Sequence, residues 1–503
     1  MSVKDKLISN TIYLFLDWIV LTIMGFLFWA IGGKALLPNE LGIVSTSVNL
    51  VMVLGGVSLL GLSLATWKLI SEYLAKKEIG KINSLVRFSL KVILISNVVI
   101  LVIMFSLSSF FSSILKIPVN VIIITGVALL VYTISSQFGF IIYGFQNMKK
   151  LLITDFIGQT IKVIVSIFLI FLGFKYFGPL IGFLIGFFIV ALLRLGSIPL
   201  KGGIKKIDQK EIMLSYAFPA FIATIFSLIF LNGQYVLLSM LKNPEVTGIF
   251  TVAMLLTTPL AVIPQTISNA LLPIISQLSV YLNSKKTQAY LIWLVLKYSL
   301  IIILPLAIFL ILFSKPVILL FSRAEYLSAS QLFPILALGS IIYGCGSIFL
   351  GSLYAMGKTK IYRNILIVTT VVFLIFAIPL IHVLSGLGSA IAYTSSATFL
   401  ALSSFFYTRK FLKIDFHWKN IMKLIMSTLI SFGFLYLVTR FTQGLFIGII
   451  FAVISFLIYL LILIPLKFYT IDDIKILDFL IKRTPILKKE IFKLRNFLSK
   501  FTG

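Results

Sequence analysis

The chain has 503 residues, of which 60% are hydrophobic and only 12% charged, and its formal net charge is +28 at pH 7. A soluble protein of this size averages about a quarter charged residues, so this composition excludes an ordinary soluble domain. One cysteine, Cys345, rules out an internal disulfide, and His382 and His417 lie too far from it and from each other to make a zinc ligand set.

The apolar residues fall in runs of about 20, the length that spans a hydrocarbon core. Read in chain order, the predicted spans are 12–33, 41–66, 86–107, 117–145, 151–173, 177–199, 215–241, 246–275, 292–313, 333–355, 364–383, 387–406, 422–440 and 444–466. The fold class is therefore all-α, a polytopic membrane protein of about 14 transmembrane helices. The first run has no small-residue cleavage site after it and reads as a retained helix. No soluble domain fits between spans.

The basic excess follows the positive-inside rule. With a cytosolic N-terminus, inside segments hold about 32 of the Lys and Arg residues and outside loops about seven. Losing one span would scramble that alternation, so both termini are expected in the cytosol. The protein is placed in the cytoplasmic membrane, with membrane lipids as neighbours and no nucleic acid partner. The tail 467–503 alternates basic residues with Ile, Leu and Phe at helical spacing, which predicts an interfacial helix on anionic lipid.

Several phrases occur twice. "KALLPNELGIVS" at 34–45 is echoed by "KNPEVTGIFT" at 242–251, "ISEYLAKKE" at 70–78 by "ISQLSVYLNSKK" at 275–286, and "IIYGFQNMKK" at 141–150 by "SLYAMGKTK" at 352–360. The offsets of about 205 to 211 residues predict two internal repeats in the same orientation. Residues 1–210 then form a first six-helix lobe and 211–413 a second, around a central cavity. Residues 414–466 add two helices, and 467–503 the tail. Within the repeated phrase, Pro38 or Pro244 stops a helix, Glu40 or Glu245 opens the next, and Gly42 or Gly248 permits close approach. A short capped turn is expected there rather than a substrate contact.

Seven phrases in order extend this pattern: "ALLPNELGIVS", "LGLSLATWKLISEYL" at 60–74, "YGFQNMKK", "NPEVTGIFTVA" at 243–253, "PQTISNALLPIISQL" at 264–278, "AEYLSASQLFPILALG" at 324–339 and "AMGKTK" at 355–360. Over roughly residues 5–410 the chain resembles the polysaccharide-transport branch of the multidrug/oligosaccharidyl-lipid/polysaccharide (MOP) exporter superfamily, the O-antigen-type flippases. The resemblance implies two lobes that rock for alternating access and a lipid-linked oligosaccharide cargo. Where that branch often has an Asp in the seventh span, this chain has Gln234. No cofactor is expected. The coupling ion, H+ or Na+ if any, is left open, and the protein is expected to act as a monomer.

Charges inside spans mark functional sites by default. Asp155, Gln159 and Lys162 stand at i, i+4 and i+7 on one face of the fifth span, with Lys162 near its middle. Lys162 is either a cavity cation for a carrier phosphate or half of an internal pair with Asp155. Lys91, Arg194 and Lys297 lie a turn or two in from the cytosolic ends of their spans. They either snorkel to headgroups or ring an inward mouth. Asp17 in the first span pairs equally well with Lys162 or Arg194, or couples to cations as in multidrug exporters of the superfamily. Asn49, Gln137, Asn232, Gln265 and Asn269 add amides within spans. Such amides offer donors and acceptors to a sugar, or join helices by hydrogen bonds.

Three functions compete on these residues. The first is a flippase for lipid-linked oligosaccharide or polysaccharide units. The second is a cation-coupled small-molecule exporter of the same superfamily, or its nearer relative, a lipid-linked peptidoglycan-precursor flippase. The third, an enzyme, is disfavoured: the longest outside stretch, about 314–332, carries one acid, Glu325, and no paired carboxylates.

Overall fold

The computed structural model describes residues 3–198, 203–279, 281, 284–412, 418–439, 445–469 and 492. The tail expected over 467–503 lies outside the described residues, save 467–469 and 492. Helices account for nearly all of the described chain, because a backbone in hydrocarbon must satisfy its N–H and C=O groups within its own segment.

The first half runs α1 (Val3–Ala35), α2 (Pro38–Ser58), α3 (Leu62–Ala75), α4 (Ile79–Ser106), the short α5 (Ser108–Leu115), α6 (Val119–Gly144), α7 (Met148–Phe171) and α8 (Phe177–Leu195). Residues 203–208 lead without regular structure to α9 (Gln209–Glu211), which passes through the π-turn Ile212–Ala217 into α10 (Phe218–Leu241). The second half continues with α11 (Pro244–Thr257), α12 (Pro259–Leu278), α13 (Lys285–Leu312), α14 (Ser314–Phe321), the 3-10 turns Ala324–Leu332, α15 (Phe333–Ala355), α16 (Thr359–Leu384) and α17 (Gly386–Leu412). Last come α18 (Trp418–Thr439) and α19 (Leu445–Ile462).

Among the described residues twelve helices are long and apolar enough to cross a membrane. Helices α17 and α19 occupy the runs where two further spans were expected, but α17 is rich in Ser, Thr and Ala and α19 is short, so neither is among the twelve. Two expected spans differ from the prediction in being broken. The run 41–66 bends at residues 59–61, where Gly61 adopts a left-handed φ of +70° between α2 and α3. The run 246–275 breaks at Thr258, ahead of Pro259 at the start of α12. The same helix of each half is thus broken, once by glycine and once by proline.

The two copies of the repeated phrase pack on each other. Helix α2 lies against α11, and the contact is reciprocal. A Cβ on Gly42 would stand 1.6 Å from the Pro244 carbonyl oxygen, and one on Gly248 would stand 2.0 Å from the Pro38 carbonyl oxygen. One turn deeper, Thr251 Oγ1 donates to Ser45 Oγ at 2.7 Å. Each phrase also builds its own turn as expected. Leu37 N donates to Glu40 Oε2 at 3.0 Å, and Val246 N donates to Asn243 Oδ1 at 2.9 Å.

Around this seam, one end of the bundle is tied shut. Lys34 Nζ donates to the carbonyls of Leu319 at 2.6 Å and Ser322 at 3.2 Å. Arg323 N donates to the Gly33 carbonyl at 3.2 Å, and Tyr326 Oη to the Leu36 carbonyl at 3.1 Å. Ser239 Oγ reaches the Leu115 carbonyl, and Lys116 Nζ the Lys242 carbonyl. All of these bonds join sequence positions more than a hundred residues apart at the end that carries the α1–α2 turn.

Candidate functional site

Among the described residues, two polar features border α1, one against α7 and one facing the second half. The first is the row on α7. Asn147 caps that helix by accepting Lys150 N, and Asp155, Gln159 and Lys162 follow along one face. Helix α8 comes back against that face on a row of glycines, Gly178, Gly182 and Gly186. A Cβ on Gly182 would stand 2.7 Å from the Lys162 carbonyl oxygen, and one on Gly186 would stand 2.7 Å from Lys162 Cβ. Small residues four apart allow this approach. Their spacing in "FGPLIGFLIG" is the readable signal for it.

The close packing carries Arg194 inward instead of toward headgroups. Its side chain is 6% exposed. Nη2 donates to Asp155 Oδ2 at 2.6 Å, Nε to Thr154 Oγ1 at 3.1 Å and Nη1 to the Ser135 carbonyl at 3.0 Å. Asp155 thus pairs with Arg194 and not with Lys162. Asp17, on α1, lies within electrostatic reach of both members of that pair, and its Oδ1 is buried without a hydrogen-bond partner among the described residues. Lys162 is 7% exposed, and its ammonium sits 4.7 Å from the centre of the Phe28 ring. No carboxylate of the described residues pairs with it. Gln159 is buried beside it.

The second feature is a cavity of about 580 Å³ between α1 and the second half. It is lined by Gly25, Phe26 and Trp29 of α1, Asn49 of α2, and residues of α10, α11, α12, α15 and α17. Three of the amides singled out from sequence, Asn49, Asn232 and Gln265, meet there, joined by Gln234, Tyr235, Tyr343 and Tyr393. Gln234 is 1% exposed; its Nε2 donates to the Leu231 carbonyl at 3.1 Å, and its Oε1 has no partner among the described residues. None of the described lining residues carries a charge.

None of the eight site residues expected from sequence lines this cavity. Lys162, Asp155, Gln159, Arg194 and Asp17 stand behind α1, which turns Phe28 toward α7 and Phe26 and Trp29 toward the cavity. Asn269 is exposed, while Gln265, one turn earlier, faces in. Lys297 does not snorkel: it is 3% exposed, with the Phe468 ring at 4.8 Å. Lys91 is exposed on α4. Gln137 does join helices, accepting from Ser63 Oγ at 2.8 Å and donating to Thr66 and Ser89. The cavity aromatics were illegible because 14% of all residues are aromatic, so single tyrosines in apolar spans carry no signal.

Comparison with known proteins matches this architecture. Residues 7–279, more than half of the chain, match the family described as polysaccharide biosynthesis protein. A Methanocaldococcus jannaschii protein named "Uncharacterized membrane protein MJ1068" is 24% identical, over 96% of this chain and 100% of its own length. The fold is similar to that of the lipid II flippase MurJ in an inward closed conformation, with TM-score 0.70 and 22% identity over 90% of this chain and 98% of that one. It is also similar to an inward-facing multidrug resistance MATE transporter of the MOP superfamily, with TM-score 0.62 and 15% identity over 82% and 95% of the two chains. With its repeated halves and central cavity, the chain belongs to the polysaccharide biosynthesis protein family and has the fold of the MOP transporters.

Proposed function

We propose that this protein is a flippase that carries lipid-linked oligosaccharide or polysaccharide repeat units across the cytoplasmic membrane by alternating access. The observation that carries this reading is the cavity: amides and phenols, a buried Gln234 Oε1 and Ser340 Oγ without partners among the described residues, and no charge among the described lining residues. Sugar hydroxyls left unsatisfied in hydrocarbon cost several kcal/mol each, and amides answer them with both donors and acceptors. Aromatic rings offer flat apolar faces to the C–H side of a sugar ring. A cationic drug would find no carboxylate among the described lining residues. The Lys and Arg distribution supports cytosolic termini, so the tied end faces outward and the cavity is closed to that side. One chain supplies all of the described cavity lining, which supports action as a monomer.

One observation favours the second reading, a cation-coupled exporter. Asp17 on α1 brings a carboxylate within electrostatic reach of Asp155 and Arg194, where an ion or proton could be exchanged. The likeness to MurJ keeps a peptidoglycan precursor as a third cargo.

The experiment follows a labelled lipid-linked oligosaccharide between leaflets of reconstituted vesicles. Tyr343→Ala with Gln265→Leu is expected to slow flipping about tenfold or more, the worth of one to two hydrogen bonds in a dry site. Flipping at the wild-type rate would remove the cavity from the path. A wild type that moves no such lipid but exports a cationic dye would establish the second reading.

Lys162→Met separates stability from transport. A buried ammonium without a carboxylate lowers stability, so the methionine variant is expected to gain about 1–2 kcal/mol. If the ammonium meets the carrier phosphate when the lobes rock, flipping falls in the same variant. Unfolding midpoint and flipping rate are measured together; a variant that gains stability and flips normally would leave Lys162 without a role in transport.

A further inference from the structure

A groove away from the central cavity lies where the chain leaves the first half. The linker 203–208 is pinned along the start of α4. Lys205 N donates to the Gly80 carbonyl at 3.2 Å, Ser84 Oγ to the Lys205 carbonyl at 2.6 Å and Asn83 Nδ2 to the Gly203 carbonyl at 3.3 Å. These bonds fix the linker beside a recess of about 1050 Å³ that carries Arg87, Lys91, Lys205 and Lys206. The one acid among its described lining residues is Asp208, whose Oδ1 already accepts Glu211 N at 2.9 Å.

The α4 face below the groove is apolar. Positions 87, 91, 95, 98 and 102 share one side of the helix. Arg87 and Lys91 are exposed, and Ile95, Val98 and Val102 are 55%, 54% and 58% exposed. In a membrane these three residues meet acyl chains. Lys91 lies one turn below Arg87, about 6 Å along α4 at 1.5 Å rise per residue. It makes no ion pair among the described residues. A cation near the cytosolic end of a lipid-facing side is placed to meet an anionic headgroup.

We infer that the groove binds an anionic phospholipid, its phosphate held by Lys91, Lys205, Lys206 and Arg87 and one acyl chain laid along Ile95, Val98 and Val102. The order of cations above an exposed apolar strip copies the order of headgroup above tail. A soluble phosphate would use the cations and leave the strip uncovered. Because the linker joins the two halves, a lipid seated here holds the linker to the first half.

Native mass spectrometry of the full chain, released from micelles holding phosphatidylglycerol and phosphatidylcholine in equal amounts, tests this. The wild type is expected to retain phosphatidylglycerol preferentially. Lys91→Gln with Lys205→Gln and Lys206→Gln should weaken retention by about fivefold for each lysine removed. Lys149→Gln with Lys150→Gln and Lys358→Gln, basic positions outside the groove, should leave it unchanged. Equal retention of the two lipids by the wild type, or equal losses in the two triple variants, would overturn the assignment. So would displacement of phosphatidylglycerol by inorganic phosphate alone, which would make the groove a free-anion site.

Discussion

Replacing Arg194 with leucine is expected to destabilise the protein by about 3–5 kcal/mol, the cost of breaking a buried ion pair from one side. The loss comes from what the guanidinium leaves behind. Asp155 would keep a buried carboxylate with no cation, and Asp17 adds a second carboxylate within reach of it. Thr154 and the Ser135 carbonyl would each lose a donor as well. The pair itself is worth far less than the cost of breaking it, because desolvation offsets much of the attraction. Arg194→Leu with Asp155→Leu is therefore expected to recover most of the loss. Thermal unfolding of the two single variants and the double variant in detergent closes the cycle. If Arg194→Leu unfolds together with the wild type, the pair does not hold α6, α7 and α8 together.

The same residue shows what a sequence can and cannot carry. That α7 and α8 cross the membrane was legible, since the bilayer imposes length and apolarity on each span separately. That Asp155 would choose Arg194 over Lys162 was not. The choice depends on how far α8 slides along α7, and the row Gly178, Gly182, Gly186 sets that register by backbone contact. A pairing within one helix can be read from spacing; a pairing between helices needs their packing. The cavity was half legible for the same reason. Amides stand out in apolar spans, so Asn49, Asn232 and Gln265 could be named. Trp29, Tyr343 and Tyr393 look like ordinary core residues until three helices bring them together. Asn269 shares a face with Gln265 by spacing, yet it is exposed while Gln265 lines the cavity. The repeated phrase was legible as a duplication, and its meaning came from the contact between its copies.

That contact makes a quantitative expectation. Gly42→Val places its Cβ within 1.6 Å of the Pro244 carbonyl oxygen and Gly248→Val within 2.0 Å of the Pro38 carbonyl oxygen, so neither fits without moving a helix. The obstacles are backbone atoms, which no rotamer change can clear. Each variant is expected to cost about 3 kcal/mol, at the upper end for overpacking. It should also break the Thr251–Ser45 bond and loosen the tied end. A Thr247→Cys reporter in a Cys345→Ser background reads this. Thr247 is fully buried on α11, so the reporter is expected to stay unlabelled by an impermeant thiol reagent until either glycine is replaced. Because the contact is reciprocal, the two single variants should act alike. The double variant should add little, since helices already forced apart leave room for the second side chain. Fully additive losses with a silent reporter would mean that the glycines serve their own helices separately. In that case the seam between the repeats would not be what closes this end of the transporter.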